Sequence, residues 1–195
     1  MIGRVFVGGR VLVTGGCGSV GCELVERLLE VDVGCVRVLD VDETGLFNLA
    51  HDLGAGERLE CVVGDVRDKG RVLEAVGGVD FVFHAAALKH VPLCELNPFE
   101  AVKTNILGTQ NLIEASKAGG VERFLYVSTD KAVYPINTLG ATKLLGEKLV
   151  LNADRETPET RFSVIRFGNL LYSNGSVARL FKKQIKKGGP VTLTS

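Results

Sequence analysis

Thr14-Gly15-Gly16-Cys17-Gly18-Ser19-Val20-Gly21 follows the apolar run Arg10–Val13 and opens the helix-period segment Val20–Glu30. Glycines at 15, 18 and 21 let a strand-to-helix turn tighten, let its backbone approach a pyrophosphate, and let helix and strand pack closely. The helix start offers free N–H groups and the positive end of its dipole, so a dinucleotide is the natural ligand. A turn whose glycines serve geometry alone is the alternative, and the downstream sequence weighs against it. Asp40 stands 19 residues beyond Gly21, at the end of the next apolar run. At that spacing a carboxylate accepts from both ribose hydroxyls and repels a 2′-phosphate. No arginine follows Asp40 to pair with such a phosphate, which favours NAD over NADP. Gly15, Gly18, Ser19, Val20, Gly21 and Asp40 are the expected cofactor contacts.

Working outward, short β-rich runs alternate with helix-period segments. Strands are expected at Arg10–Val13, Cys35–Leu39, Leu59–Val63, Val79–His84, Phe124–Ser128 and Arg161–Phe167, with a short one at Val191–Thr194. Helices are expected at Val20–Glu30, Gly45–Asp52, Lys69–Val76, Pro98–Ala118, Leu139–Leu151 and Val177–Lys187. Six strands with helical crossovers make an α/β, doubly wound parallel sheet. Residues 1–170 read as one dinucleotide-binding domain, and 171–195 as the start of an incomplete substrate-binding region.

The charge balance of 23 basic and 23 acidic residues gives no field to gather nucleic acid, so any anion must be bound locally. The longest uncharged runs, 11–22 and 167–178, are 12 residues each, short of the roughly 20 that cross a bilayer. No signal peptide is read. Five cysteines without a CxxC pair argue against a disulfide framework or a metal site and fit a reducing cytoplasm. They read as small apolar fillers. Lys182, Lys183, Lys186 and Lys187 read as the wet side of an amphipathic helix, and His84 as a packed histidine rather than a base.

Three further segments carry a resemblance: Gly64-Asp65-Val66-Arg67-Asp68, His84-Ala85-Ala86-Ala87-Leu88-Lys89-His90-Val91-Pro92 and Ser128-Thr129-Asp130-Lys131-Ala132. With the glycine loop they resemble the extended short-chain dehydrogenase/reductases, whose NAD domain is a Rossmann fold. HAAALKHVP, KTNILGTQN, STDKA, NTLGATK and RFGN are similar, more narrowly, to the UDP-N-acetylglucosamine 4,6-dehydratases of capsular polysaccharide biosynthesis. The resemblance runs from about residue 10 to 190, and most of the family's substrate domain lies beyond it. It implies that Asp65 and Val66 hold the adenine and that Ala85, Ala86 and Ala87 line the phosphates and nicotinamide ribose. Lys143 would bind that ribose, and Asn105 would support Lys143 through water. Thr129, Asp130 and Lys131 would face the sugar, and Asn169 its diphosphate. Lys89 and His90, in the loop after the fourth strand, read either as substrate contacts or as solvated loop charges. A homodimer or higher homo-oligomer through Pro98–Ala118 and Leu139–Leu151 is implied as well.

One position departs from the superfamily. Its Tyr-x-x-x-Lys has the lysine here as Lys143, but the tyrosine position is Leu139. Membrane-anchored relatives that carry Met there resemble this chain and act as dehydratases. Tyr134 is out of register to replace it, although its side chain is free by sequence to point at the sugar. A 4,6-dehydratase needs a base at sugar C5 and an acid at O6. Lys131 is the expected base and Asp130 the expected acid, provided desolvation lowers the first pKa and raises the second. Two rivals remain open: a 4-epimerase of the same superfamily, and a non-catalytic NAD-binding protein.

Overall fold

The computed structural model describes residues 5–54, 56–169, 177–186 and 188–191. Among them six parallel strands form one sheet in the order β3-β2-β1-β4-β5-β6. The strands are β1 (Arg10–Thr14), β2 (Cys35–Asp40), β3 (Leu59–Val63), β4 (Phe81–His84), β5 (Arg123–Thr129) and β6 (Arg161–Phe167). The helices are α1 (Ser19–Leu29), α2 (Glu43–Leu53), α3 (Lys69–Val76), α4 (Val91–Leu96), α5 (Pro98–Val102), α6 (Gly108–Gly119), α7 (Thr138–Glu156) and α8 (Val177–Lys186). This is the doubly wound architecture expected from the sequence. Its order reverses between β1 and β4, so the connections leaving their paired carboxyl ends run to opposite sides and leave a ligand crevice there.

The period of two along the strands sorts the core into two layers. Val11, Val13, Val36, Val38 and Phe81 pack with Val25, Leu28, Leu46 and Leu49 on one face, under α1 and α2. Leu12, Leu39, Phe124, Tyr126 and Phe162 pack with Val72, Leu112, Ile113 and Val150 on the other, under α3, α6 and α7. Each such side chain taken out of water contributes about 1.5–3 kcal/mol, so the sheet is held rigidly at both faces behind the crevice. Side-chain caps then fix where helices begin on its rim. Asp42 accepts from Gly45 N at 2.9 Å, Asp68 from Arg71 N at 3.0 Å and Asn137 from Gly140 N at 2.8 Å, each worth about 1 kcal/mol.

Three differences from expectation matter. The segment read as a loop after the fourth strand contains α4, begun by Pro92 in its first turn, where the missing N–H has no helical partner to lose. The single helix expected over Pro98–Ala118 is two helices joined by a π-helical turn, Lys103–Leu107, which turns Asn105 inward. α7 runs five residues past the expected Leu151, to Glu156, because the polar Asn152 and Glu156 bond one another across the last turn at 2.6 Å. The strand expected at Val191–Thr194 falls largely outside the described residues. No helix among the described residues is long and apolar enough to cross a membrane.

Candidate active site

The carboxyl ends of the strands open onto a cleft of about 930 Å³. Its floor at one end is the glycine loop. Gly15 has φ +70°, and a Cβ there would stand 2.6 Å from Ala86 N, so the loop touches the segment after β4 backbone to backbone. A Cβ at Gly21 would stand 2.6 Å from Gly16 Cα, which is the helix–strand approach anticipated from sequence. Gly18 caps α1 without a side chain, and no acidic residue occupies the first turn. That leaves backbone donors and a positive dipole end turned to the cleft. Asp40 accepts from Cys17 N at 2.9 Å and Asp42 N at 3.1 Å, which fixes its carboxylate beside the loop. The Cys17 thiol is pushed up to about 12 by burial and then by Asp40 and Asp42, so it is inert.

Asp65, Val66, Ala85, Ala86, Ala87, Lys89, Thr129, Lys131, Lys143 and Asn169 also line the cleft, as expected of them. Asp65 is held by Arg67, which donates through N at 2.9 Å and Nε at 2.7 Å and reaches Glu100 on α5 at 2.8 Å. Desolvation raises the Asp65 pKa, but those bonds outweigh it and the carboxyl lies below its usual range. Sequence reasoning passed over Arg67 and Glu100, which tie the loop after β3 to α5 across the mouth.

At the other end, Thr129, Asp130 and Lys131 share one turn. Thr129 Oγ1 donates to Asp130 Oδ1 at 2.9 Å, and Lys131 Nζ donates to the same oxygen at 3.2 Å and to Asn169 Oδ1 at 3.1 Å. Asn169 thus steadies Lys131, whatever else it touches. Asp130 corrects the expectation of a carboxyl with raised pKa. Its side chain is 56% exposed, and hydrogen bonds from Thr129 and then Lys131 hold it below the ordinary carboxylate value. In this geometry Asp130 is an ionised base rather than an acid.

Lys143 lies deeper. Its Nζ donates to Val127 O at 2.7 Å, and burial pushes its pKa down to about 7, against the upward pull of Glu147. Glu147 is buried and holds Arg166 through two bonds of 2.8 and 2.6 Å, while Ser128 Oγ donates to it at 2.6 Å. Burial raises the Glu147 pKa, but the bonds from Arg166 and Ser128 outweigh it and keep the carboxyl low. Leu139 fills the tyrosine position on the cleft wall, packed with Cys94 and Ala101. Tyr134 is 93% exposed and does not line the cleft, which removes it as a substitute.

Two other expectations change. Asn105 is buried off the cleft wall, and its amide is taken up by Leu88 N at 2.9 Å, Leu88 O at 3.1 Å and Thr142 Oγ1 at 3.0 Å. It holds the loop after β4 in place instead of contacting a cofactor. His90 caps α4 without a side-chain bond and does not line the cleft. His84 is packed as expected: complete burial, then the nearby Lys143, pushes it down to about 3. Thr109 gives its proton to Asn105 O at 2.8 Å, so His84 Nε2 donates to Thr109 at 3.0 Å and Nδ1 accepts from Thr14 at 2.7 Å. That neutral chain links β1, β4 and the π turn beneath the cleft.

Residues 11–195 match the family model described as Polysaccharide biosynthesis protein. An uncharacterized membrane protein of Methanocaldococcus jannaschii is 59% identical over 94% of this chain and 56% of its own length. A UDP-N-acetylglucosamine 4,6-dehydratase (inverting) of Campylobacter jejuni is 43% identical over 97% of this chain and 58% of its own. A protein of Rickettsia massiliae named UDP-glucose 4-epimerase is 42% identical over 97% of this chain and 57% of its own. Among solved structures, a dTDP-glucose 4,6-dehydratase of Streptomyces venezuelae with NAD bound superimposes with a TM-score of 0.84 at 28% identity, covering 93% of this chain and 63% of that one. The chain spans little more than half the length of these sequence relatives.

Proposed function

The chain belongs to the polysaccharide biosynthesis protein family, and from that premise we propose that it is the NAD-binding part of a nucleotide-sugar 4,6-dehydratase acting on UDP-N-acetylglucosamine. The observation that carries this reading is the Thr129-Asp130-Lys131 turn, where a hydroxyl, a carboxylate and an amine meet within hydrogen-bond reach at the carboxyl end of β5. Residues 171–195 begin the substrate-binding part in this reading, and α6 with the π turn before it and α7, with Leu107 and Leu145 exposed, form a dimer contact.

The glycine cradle, the side-chain-free cap of α1 and the fixed Asp40 carboxylate suit NAD and leave a 2′-phosphate facing a like charge. When bound, NAD supplies a hydride acceptor for sugar C4 and a hydride donor for C6. Lys143 holds the nicotinamide ribose through Nζ. Lys131 and Asp130 carry the elimination. They pair 3.2 Å apart on one turn, Lys131 on the cleft wall and Asp130 beside it. A sugar laid over them excludes water, and desolvation favours the neutral amine and acid over the ion pair. The proton crosses from Nζ to Oδ1. The amine then takes the C5 proton, the C6–O bond breaks, and the acid's proton leaves with O6 as water. Leu139 offers no hydroxyl for the C4 proton, which passes to Thr129 or to a water.

The test is incubation of the protein with NAD and UDP-N-acetylglucosamine in deuterated water, with the product read by mass spectrometry and NMR. A product short one water and deuterated at C5 supports the reading. A C4 epimer that keeps its 6-hydroxyl supports the second reading, a 4-epimerase, which the name of the Rickettsia relative favours.

A further inference from the structure

Lys143 rests on an aromatic ring that the reading above leaves without a role. Tyr126, on β5, is completely buried, and its ring face lies 4.0 Å from Lys143 Nζ. The His84 ring packs against it from β4, with centroids 5.4 Å apart. Its hydroxyl is without a hydrogen-bond partner among the described residues. The Thr109 hydroxyl beside it donates to Asn105 O and receives His84, and keeps one acceptor lone pair. Gly146, one helical turn beyond Lys143 on α7, makes the room: a Cβ there would stand 2.8 Å from Tyr126 Cζ and closer still to the hydroxyl.

We propose that Tyr126 is a positioning residue whose ring, admitted by Gly146, seats Lys143 at the cleft and stabilises its charged form. The ring's negative face attracts an ammonium, and the attraction is strongest where water is excluded. Of the charged and titratable groups around Lys143, Glu147 alone pulls it toward its charged form, and the ring adds to that pull. Glu147, on the same helix, is already bound by Arg166 of β6 and Ser128 of β5. His84 of β4 is neutral, and the π turn contributes the uncharged Asn105. The part Lys143 plays with the ribose rests on the proposed function; its seating on the ring does not.

The experiment is a pH titration of the Lys143 ε-carbon by NMR in lysine-labelled protein, the signal being assigned by its loss in Lys143→Met. In Tyr126→Phe, which keeps the ring, the midpoint stays at the wild-type value. In Tyr126→Leu the midpoint falls by about one pH unit. Phenylalanines of increasing fluorination at 126 keep the volume while emptying the ring face, and they lower the midpoint stepwise even if the leucine variant does not fold. An unchanged midpoint across the fluorinated series, or a phenylalanine shift as large as the leucine one, overturns the proposal. NAD affinity measured on the same proteins separates the two claims. Where Lys143 holds the ribose, the alkaline fall in affinity moves down with the midpoint. A midpoint that moves without it leaves the ring's role standing and removes Lys143 from the cofactor.

Discussion

At one end of the cleft the wall is backbone: Gly15 against Ala86, Gly21 against Gly16, and an α1 start without a capping side chain. At the other end it is side chains drawn from four parts of the chain, with Lys131 on Asp130 and Asn169 and Lys143 on Val127 and Tyr126. Backbone cradles depend on a few glycines in one short stretch, so they bind a constant group such as a pyrophosphate and tolerate little change. Side-chain constellations are assembled over long separations, and they can lose a member, as Leu139 shows, while the others keep their places.

That contrast predicts separable losses. The largest is at the reacting end. Lys131→Met lowers turnover by about 10²–10⁴-fold with NAD affinity held, as read by product formation beside a fluorescence titration. Equal loss of both would mean the two ends are not independent. Gly15→Val acts on the backbone end. A branched residue at φ +70° beside Ala86 costs about 1–3 kcal/mol in strain, and NAD affinity measured by calorimetry falls about 100-fold, a loss of about 2.7 kcal/mol.

The third prediction concerns pH. Burial moves Lys143 from 10.5 to about 7, so the unfolded chain binds more protons across that window and stability rises with pH through it. Lys143→Met removes the penalty. Its gain in urea-unfolding stability is largest at pH 7 and below and vanishes above about pH 10.5. The smallest effect is Glu147→Gln, which leaves Arg166 unpaired. Arg166 is half exposed, so solvent screens it and the loss at pH 7 is about 1–2 kcal/mol. Because the Glu147 carboxyl is held low, its stabilisation is present above about pH 4.3 and fades as pH falls through its folded value. The gap between wild type and variant therefore closes in acid.

The same contrast explains what could be read from sequence. Strands and most helices were legible because apolar periodicity is local, and the geometry of the glycine-loop end was legible because its glycines and Asp40 sit at spacings that backbone geometry demands. α4 and the π turn were not, since six residues hold too little periodicity to distinguish helix from loop and an extra residue per turn leaves no compositional mark. At the reacting end STDKA and Lys143 stood out, but Ser128, Glu147, Arg166 and Tyr126 did not. They act through partners 17 to 19 residues away on other elements, as Ser128 with Glu147 shows at 19. The one available signal was Glu147 four residues after Lys143, a helical neighbour of opposite charge. The expected acidity of Asp130 failed for a related reason. Exposure is a property of the fold, and the turn leaves this carboxyl in solvent.

The proposed 4,6-dehydratase reading requires hydride to move from C4 to C6 with no tyrosine at 139. UDP-N-acetylglucosamine deuterated at C4, with the label located by NMR, tests it most directly. Deuterium is expected at C6 of a 4-keto, 6-deoxy product. Deuterium returned to C4 of an epimer, with the 6-hydroxyl intact, contradicts it.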